Sequence, residues 1–419
     1  MSKSRHVLYL APWLPKLSET FVYRELFSLR AAGETVSSAS LHKPERGLGD
    51  AALDALAAQT LCVYGAGPVR MLGRSLAEAA QHPWRALQTI FMALGDALLT
   101  KEASGRTRLK IVWHGWAGLA LAHAARPRGI THIHAHFAHV SASVAMYAAR
   151  QLGCPFSFTG HAVDLFRDRV LLPEKLARAA FVCCISHWHR EFYQSLVPRA
   201  QDHYPVVRCG VNPAEFSPPP PRGEIGAVRI LGVGRMIPKK GFDLLLDALG
   251  VLRKEGMAFT CRLLGDGPEW GALKAQAERV GLADGMDFPG ATPNHAVRDA
   301  MQEADLFVLP CRVDSSGDRD GIPVVLMEAM ASGMCAVSGD LPAIRELIED
   351  GKSGRLVPPG DVAALVVCLR GLCASVAERS RLSTAGRARI REEFALDLNA
   401  ERLRRAFSRH GSENVDGLP

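Results

Sequence analysis

The chain of 419 residues is long for one hydrophobic core and comfortable for two domains. Its 48% hydrophobic and 22% charged content excludes a disordered protein, and its longest apolar runs, around 86–99 and 115–125, are interrupted by Gln, Asp or His and fall short of the roughly 18–20 residues of a membrane span. A formal net charge of +7 and a pI near 8.9 suit anionic partners such as nucleotides, phosphates or lipid head groups without selecting among them. The 10 Cys include no CxxC pair, so they are predicted to be small core residues in a reducing compartment. The start, MSKSRHVLYLAPWLP, has no small-residue cleavage site, and a cytoplasmic protein is expected.

Along the chain, short apolar runs alternate with longer amphipathic ones, the α/β pattern of parallel sheets covered by helices. Strands are predicted over 6–11, 35–41, 130–135, 155–160 and 181–186. A helix near 20–32 places Phe21, Leu26 and Leu29 on one side and stops at Gly33. Residues 66–127 depart from simple alternation. They read as a helical insertion that mixes Arg70, Arg74, Arg85, Lys101, Arg106, Arg108 and Lys110 with Trp84, Ile90, Phe91, Met92 and Leu98.

The run FSPPPPRGEIG (216–226) continues neither a helix nor a central strand and is expected to be a stiff connector between domains over 1–215 and 227–395. After it come predicted strands at 228–233, 258–264, 286–288, 305–310 and 334–338. Helices are expected at 241–255, 268–281, 293–303 and 323–332. Two consecutive doubly wound domains imply ligand sites at the carboxyl ends of their strands, in a cleft. A last helix near 397–408, within a tail over 396–419, is a candidate for crossing back to the first domain.

Chemistry concentrates at the ends of the second domain's strands. In GVGRMIPKKG (232–241), Gly232 and Gly234 permit close backbone approach while Arg235 and Lys240 bring cations to a strand end, as for a diphosphate or as in a solvated basic turn. The third glycine of a GxGxxG and the GK[ST] of a Walker A loop are both absent. LLGDGPEW, with Gly265 and Gly267, and MDFPGAT, with Pro289, repeat the glycine-bearing strand end. The stretch SGDRDGIPVVLMEAMASG (316–333) follows. Pro323 fits the first helical position and Gly333 the place just past the end, so the N–H groups near Gly321, Ile322 and Val324 are expected to be available. Glu328, roughly 7.5 Å along the axis at 1.5 Å per residue, leans back towards the helix start, where it could accept hydrogen bonds from ribose hydroxyls. Asp320 waits on the preceding loop. A carboxylate among Val324, Val325, Leu326, Met327, Ala329 and Met330 is expensive unless used.

The ordered set VGR-x3-KKG, GDGP, ADLFVLP, an acid separated by seven residues from the Glu of GIPVVLMEAMASG, and GRLVPPGD closely resembles the retaining GT-B-fold glycosyltransferases of family four. LPKLSETFVYREL, THIHAHFA, FSFTGHAVDLF and RCGVNPAEF are similar to exopolysaccharide members of the colanic-acid type. The resemblance implies two Rossmann-like domains and metal-independent, retaining transfer of a hexose from a nucleotide-diphosphate sugar, with no cofactor or catalytic metal. The donor would occupy the second domain and a sugar or lipid-linked saccharide acceptor the first. It implies that Arg235 and Lys240 bind the diphosphate, Glu328 the ribose, and the backbone of Gly321, Ile322, Pro323 and Val324 the phosphate and sugar. His161 of TGH would match the active-site histidine, and Ser18, Glu19, Thr20 and His136 would lie on the acceptor side. The chain departs from the family pattern twice: the first acid is Asp320, one methylene short, and Leu17-Ser18 replace the usual Gly-Gly.

Several alternatives stay open on the sequence. A hydrolase or epimerase of the same fold would share the donor motifs, as would a non-catalytic nucleotide-sugar-binding protein. His132, His134 and His136 alternate on one strand face and could bind zinc, line the site or simply pack. His161 could equally be a satisfied structural histidine. The basic and aromatic 66–127 segment could touch an anionic membrane, at the inner face of the cytoplasmic membrane, or be an ordinary helical cover. The basic residues carry no DNA or RNA motif, so no nucleic-acid partner is expected.

Overall fold

In a computed structural model of the chain, the described residues are 5–17, 19–65, 67–100, 104–161, 169–218 and 226–410. They divide into two compact units, at the junctions 208/209 and 398/399, with the end of the chain returning to the first unit. The first junction falls ahead of the proline run. Val211 exchanges backbone hydrogen bonds with Phe394 and Leu396, and Phe216, the first residue of the expected connector, is buried in the second core, so both belong to the second unit; residues 219–225 of that connector lie outside the described residues.

The first unit holds six parallel strands, β1 (His6–Ala11), β2 (Thr35–Ser40), β3 (Leu61–Cys62), β4 (His132–His136), β5 (Phe156–Gly160) and β6 (Phe181–Cys184), in the order β3-β2-β1-β4-β5-β6. The run from Val7 to Ala11 is fully buried, as expected of a strand covered on both faces. Helix α1 (Thr20–Ala31) turns Val22, Leu26 and Leu29 inwards. Helix α2 (Ala51–Gln59) and the two-residue β3 were not expected, because neither offers enough periodic residues to stand out.

The 66–127 segment forms α3 (Pro68–Gln81), α4 (Pro83–Leu99) and α5 (Gly105–Ala125). The last of these is part of the core. Gly118 lets α5 lie so close to α6 (Val140–Leu152) that a Cβ there would come 2.6 Å from the Tyr147 Cβ. The helix Leu396–His410 sends Leu403 and Phe407 into the same unit, where Phe407 meets His132 edge-on with ring centroids 5.0 Å apart.

The second unit repeats the plan. Strands β7 (Val228–Val233), β8 (Phe259–Leu264), β9 (Met286–Gly290), β10 (Leu306–Leu309), β11 (Cys335–Gly339) and β12 (Arg355–Val357) run parallel in the order β12-β11-β10-β7-β8-β9. In both sheets the order reverses direction beside the first strand, between β1 and β4 and between β7 and β10. Chain leaving those two carboxyl ends diverges to opposite faces and opens a crevice for ligands.

Candidate functional site

In the second unit, the loops after β7 and β10 meet at the reversal point. The turn Pro238–Lys240 carries Lys239 and Lys240, and the loop after β10 carries Asp320 back to them. Lys240 Nζ lies 2.8 Å from one Asp320 oxygen and Lys239 Nζ 3.4 Å from the other; Lys239 also pairs with Asp318 at 3.2 Å. The Cys311 thiol donates to Asp320 at 3.5 Å. Burial alone would raise the Asp320 carboxyl, but Lys240 and Lys239 outweigh it and hold the group below the usual aspartate range. Burial likewise works against the Lys240 ammonium, and Asp320 more than restores it. Both partners therefore stay charged. Arg235 stands exposed on the same loop, with no ion pair to any described residue.

The glycines of this end divide into two kinds. Gly265, at φ +134°, abuts β7's loop: a Cβ there would sit 2.0 Å from the Gly234 carbonyl oxygen, and one on Gly267 would sit 2.4 Å from that of Met236. Their presence is thus required by loop-on-loop packing, whatever they do for a ligand. Gly234 is different, since a Cβ would meet only ordinary contacts at 3.6 Å with the Lys240 and Phe242 side chains. Pro289 is exposed in β9.

The helix Val324–Ala331 begins one residue later than the sequence suggested. Pro323 is the N-cap residue, with φ −64° and ψ 126°, because proline fixes φ but leaves ψ free to stay extended. Gly321, Ile322 and Val324 around it are half-buried, and Gly333 takes the left-handed conformation just past the helix end, as expected. Glu328 is half-buried rather than sunk in the core, with Leu326, Met327, Ala329 and Met330 buried around it. Its exposed edge reduces the desolvation that made it look anomalous in the sequence.

In the first unit, the ends of β4 and β5 bring His136 and His161 together with ring nitrogens 3.3 Å apart. His136 Nε2 lies 3.1 Å from Oε1 of Glu25 on α1, and the buried Tyr9 hydroxyl donates to that same oxygen. If Glu25 Oε1 accepts from both, His136 keeps its proton on Nε2 and accepts from His161 through Nδ1. His161 packs between Phe21 and Phe137, with ring centroids 4.7 and 4.6 Å away. Burial, then the neighbouring histidines, beginning with His136, push its pKa well below the usual value, so it is a neutral imidazole. Thr20 opens α1, and Glu19 before it pairs with Lys16 at 2.8 Å. Ser18 lies outside the described residues.

The histidines of β4 all sit on one buried face. Donor atoms of Glu25, His134 and His136 lie within 4.8 Å of one another. His134, however, has both nitrogens engaged, by the hydroxyls of Ser157 at 2.8 Å and Thr159 at 3.0 Å, and His132 meets Ser157 at 2.7 Å. The nitrogens of His134 are thus taken up by hydroxyls and those of His136 by Glu25 and His161, while His132 Nδ1 is buried without a hydrogen-bond partner among the described residues.

Lys239, Cys311, Tyr9 and Glu25 were not singled out from the sequence. Glu25 was findable, because it is a carboxylate on the apolar side of a helix, the same signal that marked Glu328.

Residues 227–375 match the family of glycosyl transferases group 1. The matched stretch begins just before β7 and contains Arg235, Lys240, Asp320 and Glu328. That stretch is similar to group 1 glycosyl transferases. Outside it the likeness continues in part. A protein of Escherichia coli (strain K12) named as a colanic acid biosynthesis glycosyltransferase, WcaL, is 38% identical over 203 residues, 48% of this chain and 49% of its own length. The chain spans about half the length of the curated relatives it matches. Several solved structures match nearly throughout. A sucrose-phosphate synthase from Thermosynechococcus elongatus gives a TM-score of 0.72 at 17% identity, covering 97% of this chain and 99% of that one. Anabaena HepE in complex with UDP and glucose gives 0.68 at 15% identity, covering 97% and 100%. The chain thus has the GT-B fold.

Proposed function

We propose that the chain is a retaining glycosyltransferase that moves a hexose from a nucleotide-diphosphate sugar to an acceptor hydroxyl, in the assembly of an exopolysaccharide or another cell-surface glycan. One observation carries the reading. At the reversal point of a domain similar to group 1 glycosyl transferases, an exposed Arg235 stands on the loop of an ionised Lys240–Asp320 pair. Such a cationic strand end stabilises the charge that develops on a departing diphosphate, the work a metal ion does in other transferases. Glu328 accepts from the ribose hydroxyls at the start of its helix, and the backbone around Gly321–Val324 receives the phosphate and sugar.

Asp320 has a second part in this reading. Fixed by two lysines, it places Lys240 and can accept from a sugar hydroxyl. No side chain of the domain stands out as a covalent nucleophile, so the acceptor attacks from the face the diphosphate leaves, and that phosphate takes the proton. The neutral His161, which donates through Nε2 to His136, can accept from a sugar hydroxyl through Nδ1, and it brings no further positive charge. The acceptor is a sugar or a lipid-linked saccharide bound by the first unit, at the inner face of the cytoplasmic membrane.

HepE was captured with UDP, so the test begins with UDP sugars and extends to GDP and other nucleotide sugars. A donor at about 100 times its dissociation constant adds about 2.7 kcal/mol of stability, easily read as a rise in Tm. Product formed only when acceptor is present identifies a transferase. Donor consumed without acceptor identifies a hydrolase or epimerase, and a thermal shift without turnover identifies a binding protein.

A further inference from the structure

Helix α4 is built inside out. Its buried residues are Ala86, Thr89, Ala93, Asp96 and Ala97, all small or polar, with Met92 half-buried against the same core. The polar ones are satisfied internally: Asp96 pairs with Arg178 at 2.8 Å and accepts from the Tyr147 hydroxyl at 2.8 Å, and the Thr89 hydroxyl donates to Gln151 at 3.3 Å. The small ones allow close packing on α5, where a Cβ on Gly115 would come 2.7 Å from the Ala93 Cβ. Outwards, Trp84, Leu87, Phe91, Leu94 and Leu98 follow one another at helical spacing, and Trp84, Phe91 and Leu98 are 70%, 62% and 70% exposed. A surface helix ordinarily turns such a stripe to the core. Leaving it in water is unfavourable unless something covers it.

The charge around the stripe selects the cover. Between residues 67 and 125 the described carboxylates are Glu78 and Asp96, both buried and paired to arginines, Glu78 with Arg126. The exposed charges of α3, α4 and α5 are cations, among them Arg70, Arg85, Arg106 and Lys110. A second copy of this face would bring like charges together with no described carboxylate to answer them. An anionic lipid surface answers both features, with acyl chains for the stripe and head groups for the cations.

We propose that α4 is the membrane-docking face of this protein. It lies in the plane of an anionic bilayer, with Trp84, Phe91 and Leu98 among the acyl chains and the cations on the lipid head groups. The proposal deepens the reading above by supplying the surface on which a lipid-linked acceptor would be met, and rests on that reading only for its purpose.

The test is co-sedimentation of the full chain, without donor or acceptor, with phosphatidylcholine vesicles with and without phosphatidylglycerol. Binding to the anionic vesicles is expected, falling about tenfold or more in W84S/F91S/L98S and in R70E/R85E/K110E. The substituted side chains are exposed, so both variants should melt close to the parent; if the triple serine variant does not fold, Phe91→Ser alone is read against the same vesicles. Absence of pelleting, or equal binding to neutral vesicles, overturns the proposal. So does a concentration-dependent dimer that W84S/F91S/L98S dissolves, which would give the stripe to a second copy. Vesicle binding without sugar turnover would leave the docking face standing and remove the transferase reading. Turnover on a soluble acceptor without vesicle binding would do the reverse.

Discussion

The two sheets share one strand order and use it oppositely. At the reversal point of the second, between β7 and β10, the side chains are ionised: Lys239 and Lys240 clamp Asp320, and Arg235 stands beside them. At that of the first, between β1 and β4, the group is uncharged on the histidine side, with His134 and His161 buried and neutral and held by hydroxyls, His136 and aromatic rings. A fold that places strand ends together therefore fixes which loops meet and leaves their charge to the residues they carry. The ionised end suits an anionic leaving group. In the transferase reading the neutral end suits hydroxyl-bearing sugars, which a fixed charge would bind no better.

Substitutions can break this contrast at either end. The largest effect is expected for Arg235→Ala: turnover should fall about 10²–10³-fold, about 2.7–4 kcal/mol of transition-state stabilisation. Because Arg235 is exposed and pairs with no described side chain, the variant's unfolding free energy should stay within about 0.5 kcal/mol of the parent's. A folded variant with near-normal turnover would show the strand end to be a solvated basic turn. At the neutral end, Glu25→Ala leaves Tyr9 and His136 buried without their shared acceptor. A loss of about 1–3 kcal/mol in denaturant unfolding is expected, together with reduced turnover. Unchanged stability would mean that the Tyr9–Glu25–His136 chain is not held as described.

Acid should separate the units. Burial, followed by Arg5 and His410, pushes the His132 pKa down to about 3; burial, followed by Lys175, does the same to His114. The unfolded chain takes these protons below about pH 6.5 and the folded one does not, so unfolding binds protons and stability falls as pH drops. Their stabilisation is complete above about 6.5 and erodes towards 3. Asp320 behaves in the opposite chemical sense but over a lower range: its depressed pKa contributes stability that is complete above the unfolded aspartate value of about 3.9 and is lost only below it. Hydrogen exchange followed from pH 7 to 4 should show amides of β1 and β4 losing protection before those of β7 and β10. Loss in the reverse order would contradict the charge assignment. The smallest effect is expected for Glu328→Gln, which keeps the shape and removes the charge. Donor binding should weaken by about 1 kcal/mol, roughly fivefold, with little change in Tm; an unchanged dissociation constant would release Glu328 from the ribose.

How far the sequence reached differs between the same two ends. At the second, VGR-x3-KKG and the acid before GIPVVLMEAMASG were legible because their chemistry sits in short runs at strand ends, and the alternation of apolar runs marks strand ends well. What stayed hidden there was pairing. Nothing local says that Lys240 and Asp320, eighty residues apart, touch at 2.8 Å, or that Gly265 and Gly267 are needed for packing against β7's loop. At the first end, IHAHF gave the strand but not its partners, because Tyr9, Glu25, His136 and His161 come from three strand ends and a helix.

Taken by itself, the sequence determined the two-domain α/β plan, the order of the longer strands and the cationic strand end, since these follow from periodicity and from residue types close in the chain; it missed α2, β3 and β12. Only the tertiary structure decided which charges neutralise one another, which histidines are satisfied, and which face of α4 meets water. Those are properties of neighbours brought together across the sheet order, and burial, which sets both pKa and the cost of an exposed apolar stripe, does not exist until the chain has closed on itself.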